Sequence, residues 1–529
     1  MLLAVSAFFF LGIGNTHLFD WDEINFAESA REMMSSGDYL RVQVNYEAFW
    51  EKPPFYFWLQ VLSMKLFGIN EFAARFPNAF FGSIYLLSIY FIGRKHFSAR
   101  FGLIWALIFC GSLLPNVYFK SGIIDPVFNY FIFISVYFMI RVISSEYEDK
   151  RGFLALLSGL ASGFSVITKG PVGFLLLGLT LLVYLTIKRF KPFPKFKFIF
   201  FFLVGLLVII GTWLAIEFAN NGFEIIRRFI AYQAELFNSN VAGHEQPFYY
   251  HFVVVFFGCF PISILAIPSL LKRRSETTMD FHFWMLCLFW TVLLLFSIVT
   301  TKIIHYSSMT WVPLSFVAAY TLYLVDLGKI KLSNFSKYLY LIIGLLISFV
   351  FIGLVVLISN NYWLANQIND RFVADSLRQS IHVSNLSYLV GILLLAGVVI
   401  GFVFLNKRRI YAFAITTASS VISALTVAQF TLLPVVEQIT QGPAIQYYKE
   451  IGASGHPLAS FQFKSYGQYY YARTKDQQEE FNSFLQTNHK EPVYLIVKTD
   501  NDLIKEYPYF DLIDKKGGFQ LYRFEPLKQ

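Results

Sequence analysis

Apolar stretches long enough to cross a bilayer, or nearly so, recur about thirteen times along this chain, and no other feature restricts its fold as much. They cover 1–15, 76–97, 101–118, 125–142, 153–168, 171–187, 198–217, 250–270, 281–299, 303–325, 337–358, 385–404 and 410–432. Backbone polar groups in hydrocarbon must find partners within the span, so these stretches predict helices and a mainly α, polytopic membrane protein. Only 15% of the 529 residues are charged and 56% are hydrophobic, too little charge for a soluble protein of this length. The stretch 153–187 is interrupted by Lys169-Gly170-Pro171, which predicts a tight turn between two short helices. The first span has neither a basic n-region nor a clear small-residue cleavage site, so it is expected to be a retained anchor.

The positive charge alternates along the chain. Arg94-Lys95 with Arg100, Arg141 with Lys150-Arg151, the cluster Lys188 to Lys197, Lys272-Arg273-Arg274, Lys329 to Lys337 and Lys407-Arg408-Arg409 occupy every second connection. By the positive-inside rule these connections and the N-terminus are cytoplasmic, so the net charge of +9 reflects topology and not a nucleic-acid surface. The opposite turns hold one lysine each, Lys120, Lys169 and Lys302. The segments 20–77, 218–249 and 359–384 and the C-terminus then lie outside. The cysteines Cys110, Cys259 and Cys287 fall inside apolar runs, which argues against a disulfide framework or a thiolate metal site.

The first outer segment is the least membrane-like part of this architecture. Asp20 to Glu23 has the spacing of a helix cap, and Ser35-Ser36-Gly37 reads as a helix stop. Ile24, Ala27, Ala30 and Met34 share one face, which predicts a short helix lying along the membrane surface. A second helix is expected to start at Pro53-Pro54, placing Glu51-Lys52 ahead of its N-terminus, where backbone N–H groups favour an anion. From about residue 435 the segments 457–463, 492–497 and 519–524 read as strands and 476–487 as helix. The expected organisation is therefore a transmembrane domain over 1–434, including the outer loop 16–75, and a small outer α/β domain over 435–529.

Ionisable residues near membrane depth are costly and tend to be functional. Asp22-Glu23 reads either as a helix cap or as a base or orienting group for an acceptor. Lys52 can form a neutral pair with Glu51 or grip a phosphate, and Glu51 could instead be a metal ligand. Asp125 precedes a proline at the mouth of the fourth span, and Lys169 and Lys302 mark outer turns. His244 lies in the second long outer loop, and His305 and Tyr306 start the tenth span. Each residue has a bland reading as a cap, a snorkelling anchor or a solvated side chain. Their common placement on the outer side suits a lipid phosphate with a polar group attached.

The series DE-x3-AE-x2-REM (22–33), GDYL (37–40), EKPPFYFWLQ (51–60) and EFAARFP (71–77) resembles the first outer loop of polyprenyl-phosphate-dependent GT-C glycosyltransferases. TKGPVG (168–173), GHEQPFYY (243–250) and K-x2-HY (302–306) followed by Pro313 fit as well. The closest branch is family 83, the lipid A aminoarabinose transferase type, with protein O-mannosyltransferases as more distant relatives. The resemblance implies a GT-C fold and an inverting sugar transfer from an undecaprenyl (polyprenyl) phosphate donor to lipid A, another envelope glycolipid or a protein. It places the chain in a bacterial inner membrane as a monomer with a periplasmic site. It implies Asp22 and Asp125 as catalytic carboxylates, and Glu51 and His244 as ligands of a divalent metal, Zn, Mg or Mn. It further implies that Glu23, Lys52, Lys169, Lys302 and Tyr306 bind substrate. The aminoarabinose branch tends to carry Arg-Tyr where this chain has Asn25-Phe26, which bears on both sugar and acceptor. A polyprenyl-lipid transporter is the rival from another class; it would show internal repeats and charges at the bilayer midplane.

Overall fold

The structure, a computed structural model, describes residues 2–143, 150–191, 193–238, 245–270, 280–478 and 491–525. The chain opens with α1 (Leu2–Ala7) and a run of turns. The first outer segment follows as α2 (Asp22–Ser36), the hairpin β1 (Gln43–Val44) and β2 (Glu47–Ala48), and α3 (Phe55–Phe67). Next come α4 (Glu71–His96), α5 (Ala99–Cys110), α6 (Leu113–Tyr118), α7 (Asp125–Ile143), α8 (Arg151–Lys169) and α9 (Val172–Ile187). They are followed by α10 (Phe196–Asn221), α11 (Phe223–Asn238), α12 (Tyr250–Gly258), α13 (Ile262–Leu270) and α14 (Phe281–Ile298). A 3-10 turn, Ile304–Thr310, leads into α15 (Trp311–Asp326), and α16 (Asn334–Ser359) follows. The third outer segment forms α17 (Asn361–Ala365) and α18 (Arg371–Leu377) before α19 (Tyr388–Asn406) and α20 (Ile410–Thr431).

Every expected apolar stretch contains a helix, although the helices differ in reach. Among the described residues nine helices are long and apolar enough to cross a membrane, and ten if α12 and α13, bent by 115°, form one broken span. The break falls at Cys259-Phe260-Pro261, where proline supplies no backbone N–H. α5 and α9 are shorter, with 12 and 16 residues. Glycine lets some helices touch backbone to backbone: a Cβ on Gly159 of α8 would come within 2.0 Å of the Phe202 carbonyl of α10. Gly205 of α10 makes the reciprocal approach, 2.3 Å from the Leu156 carbonyl, and this small-residue contact is typical of helix pairs in lipid. Arg100 pairs with Asp326 at 2.7 Å and Lys188 pairs with Asp280, tying α5 to α15 and α9 to α14 at one end of the bundle.

The opposite end carries the outer layer. α21 (Leu433–Thr440) and α22 (Gly442–Ser454) continue directly from α20, so the boundary expected at 435 falls inside a helix. β3 (Leu458–Phe461), α23 (Gly467–Tyr470), β4 (Val493–Lys498), β5 (Asp511–Lys516) and β6 (Phe519–Phe524) complete the chain. The sheet order is β3-β4-β6-β5, with β3 parallel to β4 and the other pairs antiparallel. β5 (DLIDKK) was not anticipated; as an edge strand it has little burial, hence no alternating apolar signal. The helix expected over 476–487 lies largely outside the described residues.

α2 ends where its signals placed it, closed by Gly37 at φ 74°, but its N-cap is Trp21 with no side-chain cap bond, because the Asp20 carboxylate is engaged by Ser465 and Tyr466. Nor does it lie on a membrane surface: all of its residues from Glu23 to Met33 are buried. Leu18, Ile24, Phe26 and Met33 share one apolar core with Ile445, Tyr448, Tyr470 and Leu521 of the C-terminal unit, which covers the helix from above. Two of the buried carboxylates of the enclosed helix find their partners nearby. Arg31 donates two bonds to Glu28 at 2.6 and 2.7 Å. Glu32 accepts from the backbone N–H groups of Asn45 and Tyr46 at 2.7 and 2.8 Å. Those two residues form the tip of the β1–β2 hairpin, both at positive φ (57° and 59°), the geometry of a type I′ turn.

Candidate active site

The site is built from the ends of helices that meet at the outer rim of the bundle. Asp22 is the first residue of α2, Asp125 the first of α7 and Lys169 the last of α8. Carboxylates at N-termini and a lysine at a C-terminus match the helix dipoles, so each position is favourable before any ligand arrives. The 3-10 turn beneath α15 brings His305 and Tyr306 to the same place.

Lys169 Nζ donates to Asp125 Oδ1 at 2.6 Å, and both groups are largely shielded from solvent. Asp125 Oδ2 is buried, has no hydrogen-bond partner among the described residues, and stands 3.9 Å from His305 Nε2. The same imidazole nitrogen lies 3.7 Å from Asp22 Oδ2. Asp22 keeps 35% of its side-chain exposure where Asp125 keeps 4%, so Asp22 is the carboxylate within reach of an incoming molecule. The Lys169 ammonium also sits over the Tyr306 ring, 5.3 Å from its centre. Lys52 is 3.7 Å from Glu51, and the two charges act on His305 and Tyr306 respectively. The site therefore offers the exposed carboxylate of Asp22 and the buried one of Asp125 on either side of one imidazole, with Lys169 on Asp125 and the Glu51–Lys52 pair acting on His305 and Tyr306.

Glu23, though next in sequence to Asp22, serves the scaffold. Its oxygens accept from Arg75 Nε at 3.0 Å, Arg75 Nη2 at 2.8 Å, Phe19 N at 2.9 Å and Gly122 N. Arg75 uses its remaining donors on the carbonyls of Ile13, Thr16 and His17. Burial alone would raise the Glu23 carboxyl, but the guanidinium and the backbone donors outweigh it and hold it below the ordinary carboxylate range. The substrate-binding role expected of Glu23 thus gives way to a structural one, because no acceptor position is left open to a ligand.

Lys302 is also engaged elsewhere. It is buried and donates to the carbonyls of Gln246 at 2.8 Å and Thr300 at 3.4 Å, beside a lone bridge between Glu245 and Thr301. It fastens the second outer loop to the segment that leads into the 3-10 turn before α15. His244 lies outside the described residues. Among the described residues no three His, Cys, Asp or Glu side chains converge as metal ligands, and Glu51 beside Lys52 does not by itself make a metal site. The sequence places His305 at the start of the tenth span, where it reads as an anchor, and assigns it no part in the site. A histidine at the outer start of a span, in a motif that already held a lysine and a tyrosine, was the available signal.

With the geometry in place, similarity to known proteins becomes informative. Residues 51–215 match the family model described as dolichyl-phosphate-mannose-protein mannosyltransferase, a window that holds Lys52, Asp125 and Lys169. An uncharacterized protein of Aquifex aeolicus is 28% identical over 339 residues, 63% of this chain and 65% of that protein. The undecaprenyl phosphate-alpha-4-amino-4-deoxy-L-arabinose arabinosyl transferase of Pectobacterium atrosepticum is 24% identical over 348 residues, 65% of this chain and 62% of the relative. The match therefore spans less than two thirds of the length of either relative. Two crystal structures of ArnT from Cupriavidus metallidurans, one bound to undecaprenyl phosphate and one apo, superpose with TM-scores of 0.79 and 0.80. Each is 19% identical, covering 99% of this chain and 97% of the other. The chain accordingly has the mainly α, multi-pass membrane fold of ArnT, and the resemblance read from its first-loop motifs is borne out.

Proposed function

We propose that the protein is a glycosyltransferase of the bacterial inner membrane. It moves one sugar from an undecaprenyl or other polyprenyl phosphate to lipid A or another envelope glycolipid, at the periplasmic face and with inversion. The observation that carries this reading is the meeting of Asp22, Asp125, Lys169 and His305, drawn from four separate elements, at one rim.

In the reaction the bond from the anomeric carbon to the phosphate oxygen breaks, and the acceptor oxygen bonds to that carbon from the opposite side. Asp22, the exposed carboxylate, orients a hydroxyl acceptor and takes its proton; a phosphate acceptor is already anionic and needs only the orientation. Lys52 and Lys169 face the departing phosphate with positive charge in a partly dry site, where such charge acts strongly. Asp125 holds the Lys169 ammonium in place, and His305 stands between the two carboxylates, 3.7 and 3.9 Å from them. A divalent ion held by Glu51 and His244 would add positive charge at the same phosphate. Apolar surroundings disfavour hydrolysis by limiting water.

The match over 51–215 favours one second reading, transfer of a hexose to exported protein. Mass spectrometry of envelope lipids and glycoproteins from cells with and without the gene separates the two. One added sugar mass on an envelope glycolipid is the expected result, and hexose confined to peptides supports the second reading. No mass shift on either, with movement of polyprenyl lipid across vesicles containing the protein, would sink both in favour of a transporter.

A further inference from the structure

A hollow whose wall includes Asp20, two residues before Asp22, is assembled from distant parts of the chain. It is a cavity of about 190 Å³ between the start of the first outer segment, α18 of the third and the C-terminal unit. Its wall includes one carboxyl group, Asp20, two lysines, Lys464 and Lys498, and the rings of Phe372, Phe463 and Phe519. Lys464 lies over the rings of Trp21 and Tyr466 at 5.2 and 5.3 Å, and Lys498 over those of Phe372 and Phe463 at 4.9 and 5.4 Å. Among the described residues neither ammonium has a carboxylate or hydrogen-bond partner, so two positive charges stand on aromatic faces at the same hollow. Asp20 is held in the wall by Ser465 Oγ at 2.6 Å and Tyr466 N at 3.4 Å. Burial raises its carboxyl to about 6, the two hydrogen bonds opposing the shift.

The cavity is linked to the cluster through the chain itself. Asp20 lines the cavity, Asp22 belongs to the cluster, and Trp21 between them is 48% exposed with its ring edge-on to Tyr466 at 5.2 Å. Tyr466 in turn feels the charges of Glu51, Asp20 and Asp22. A single residue of chain thus separates the cavity wall from Asp22. Unneutralised lysines select an anion, aromatic faces select the C–H surface of a sugar ring, and a carboxyl accepts from hydroxyls. A lipid tail would suit the rings but leave both ammonium groups and the carboxyl without a partner.

We propose that this cavity docks the headgroup of the acceptor, a phosphorylated saccharide, with Lys464 and Lys498 on its phosphate and Asp20 on a ring hydroxyl. The word acceptor rests on the glycosyl-transfer reading above, whereas the binding does not. The test uses the full chain in detergent micelles without donor, titrated with glucosamine 1-phosphate, inorganic phosphate and undecaprenyl phosphate. The intact protein should bind the sugar phosphate more tightly than inorganic phosphate. Lys464→Ala with Lys498→Ala should weaken sugar phosphate binding at least about tenfold, and the paired Lys→Arg variants should restore most of it. Undecaprenyl phosphate binding should stay within about twofold in all variants, which also reports that they are folded. A micelle-embedded glycolipid with the same headgroup, competing better than the free sugar phosphate, would assign the ligand to the membrane; equal competition would assign a soluble source. Sugar phosphate binding that is absent, unchanged in the alanine pair, or no tighter than inorganic phosphate would overturn the proposal. So would a parallel loss of undecaprenyl phosphate binding. Binding as expected without any sugar transfer would leave the docking site standing and remove the enzyme reading instead.

Discussion

Asp22 and Glu23 are neighbours on one helix, and the structure uses them in opposite ways. Successive side chains point about 100° apart around an α-helix, so one can face the rim while the other faces the scaffold. Glu23 meets a guanidinium and two backbone donors and is closed to anything further. Asp22 is one-third exposed and has an imidazole nitrogen at 3.7 Å, too far for a tight hydrogen bond, so it retains capacity for a ligand. A saturated carboxylate stabilises a fold, and an incompletely satisfied one beside like and opposite charges is available for chemistry.

The contrast predicts a clean separation of effects, largest first. Asp22→Asn should lower the transfer rate by about 10²–10⁴-fold while leaving thermal unfolding in detergent almost unmoved. A variant retaining full turnover would remove Asp22 from the site. Arg75→Leu should do the reverse, costing about 3–5 kcal/mol of stability because Glu23 is left buried and unpaired. A stably folded Arg75→Leu protein with an unchanged unfolding midpoint would show that the saturated network is dispensable.

Lys169→Met tests the middle case, a residue that is both paired and at the rim. Its loss should cost about 10²–10³-fold in rate and also some stability, since Asp125 loses its partner. Adding Asp125→Asn should recover the stability and not the rate; recovery of both would make the pair purely structural.

The smallest effect concerns pH. Burial, and then the neighbouring Glu28, raise the Glu32 carboxyl from an ordinary 4.5 to about 8. Between those values the folded chain holds a proton that the unfolded chain has released, so stability should fall as pH rises across the window. The slope from one such group is at most about 1.4 kcal/mol per pH unit. Glu32→Gln should flatten the dependence of the unfolding midpoint on pH between 5 and 8 (roughly, from the same linkage), and a wild-type midpoint that climbs over that range would contradict the sign.

Much of this was readable in the residues. The ends of α2 could be placed to within a residue from Asp20–Glu23 and Ser35-Ser36-Gly37, and Pro53-Pro54 announced α3 within a residue or two. That Asp22, Asp125 and Lys169 share one end of the bundle followed from alternating charge alone. The covering of α2 could not be read: Glu28, Arg31 and Glu32 look like a solvated face, and the β1–β2 hairpin together with the C-terminal unit makes that face interior. Glu23 and Lys302 were read with the site because their charge and side of the membrane were right, while their partners Arg75 and Gln246 lie 52 and 56 residues away.

Hydropathy, charge alternation and helix signals are local or additive, so the chain alone dictated a polytopic helical membrane protein, the side on which its ionisable residues gather and the limits of most helices. Which carboxylate is closed by an arginine and which stays open, that His305 stands between two acids, and that Lys464 and Lys498 share a hollow with Asp20 were decided by folding. Each depends on a few ångströms between residues tens to hundreds of positions apart, and side-chain spacing along a strand or helix carries no record of such distances.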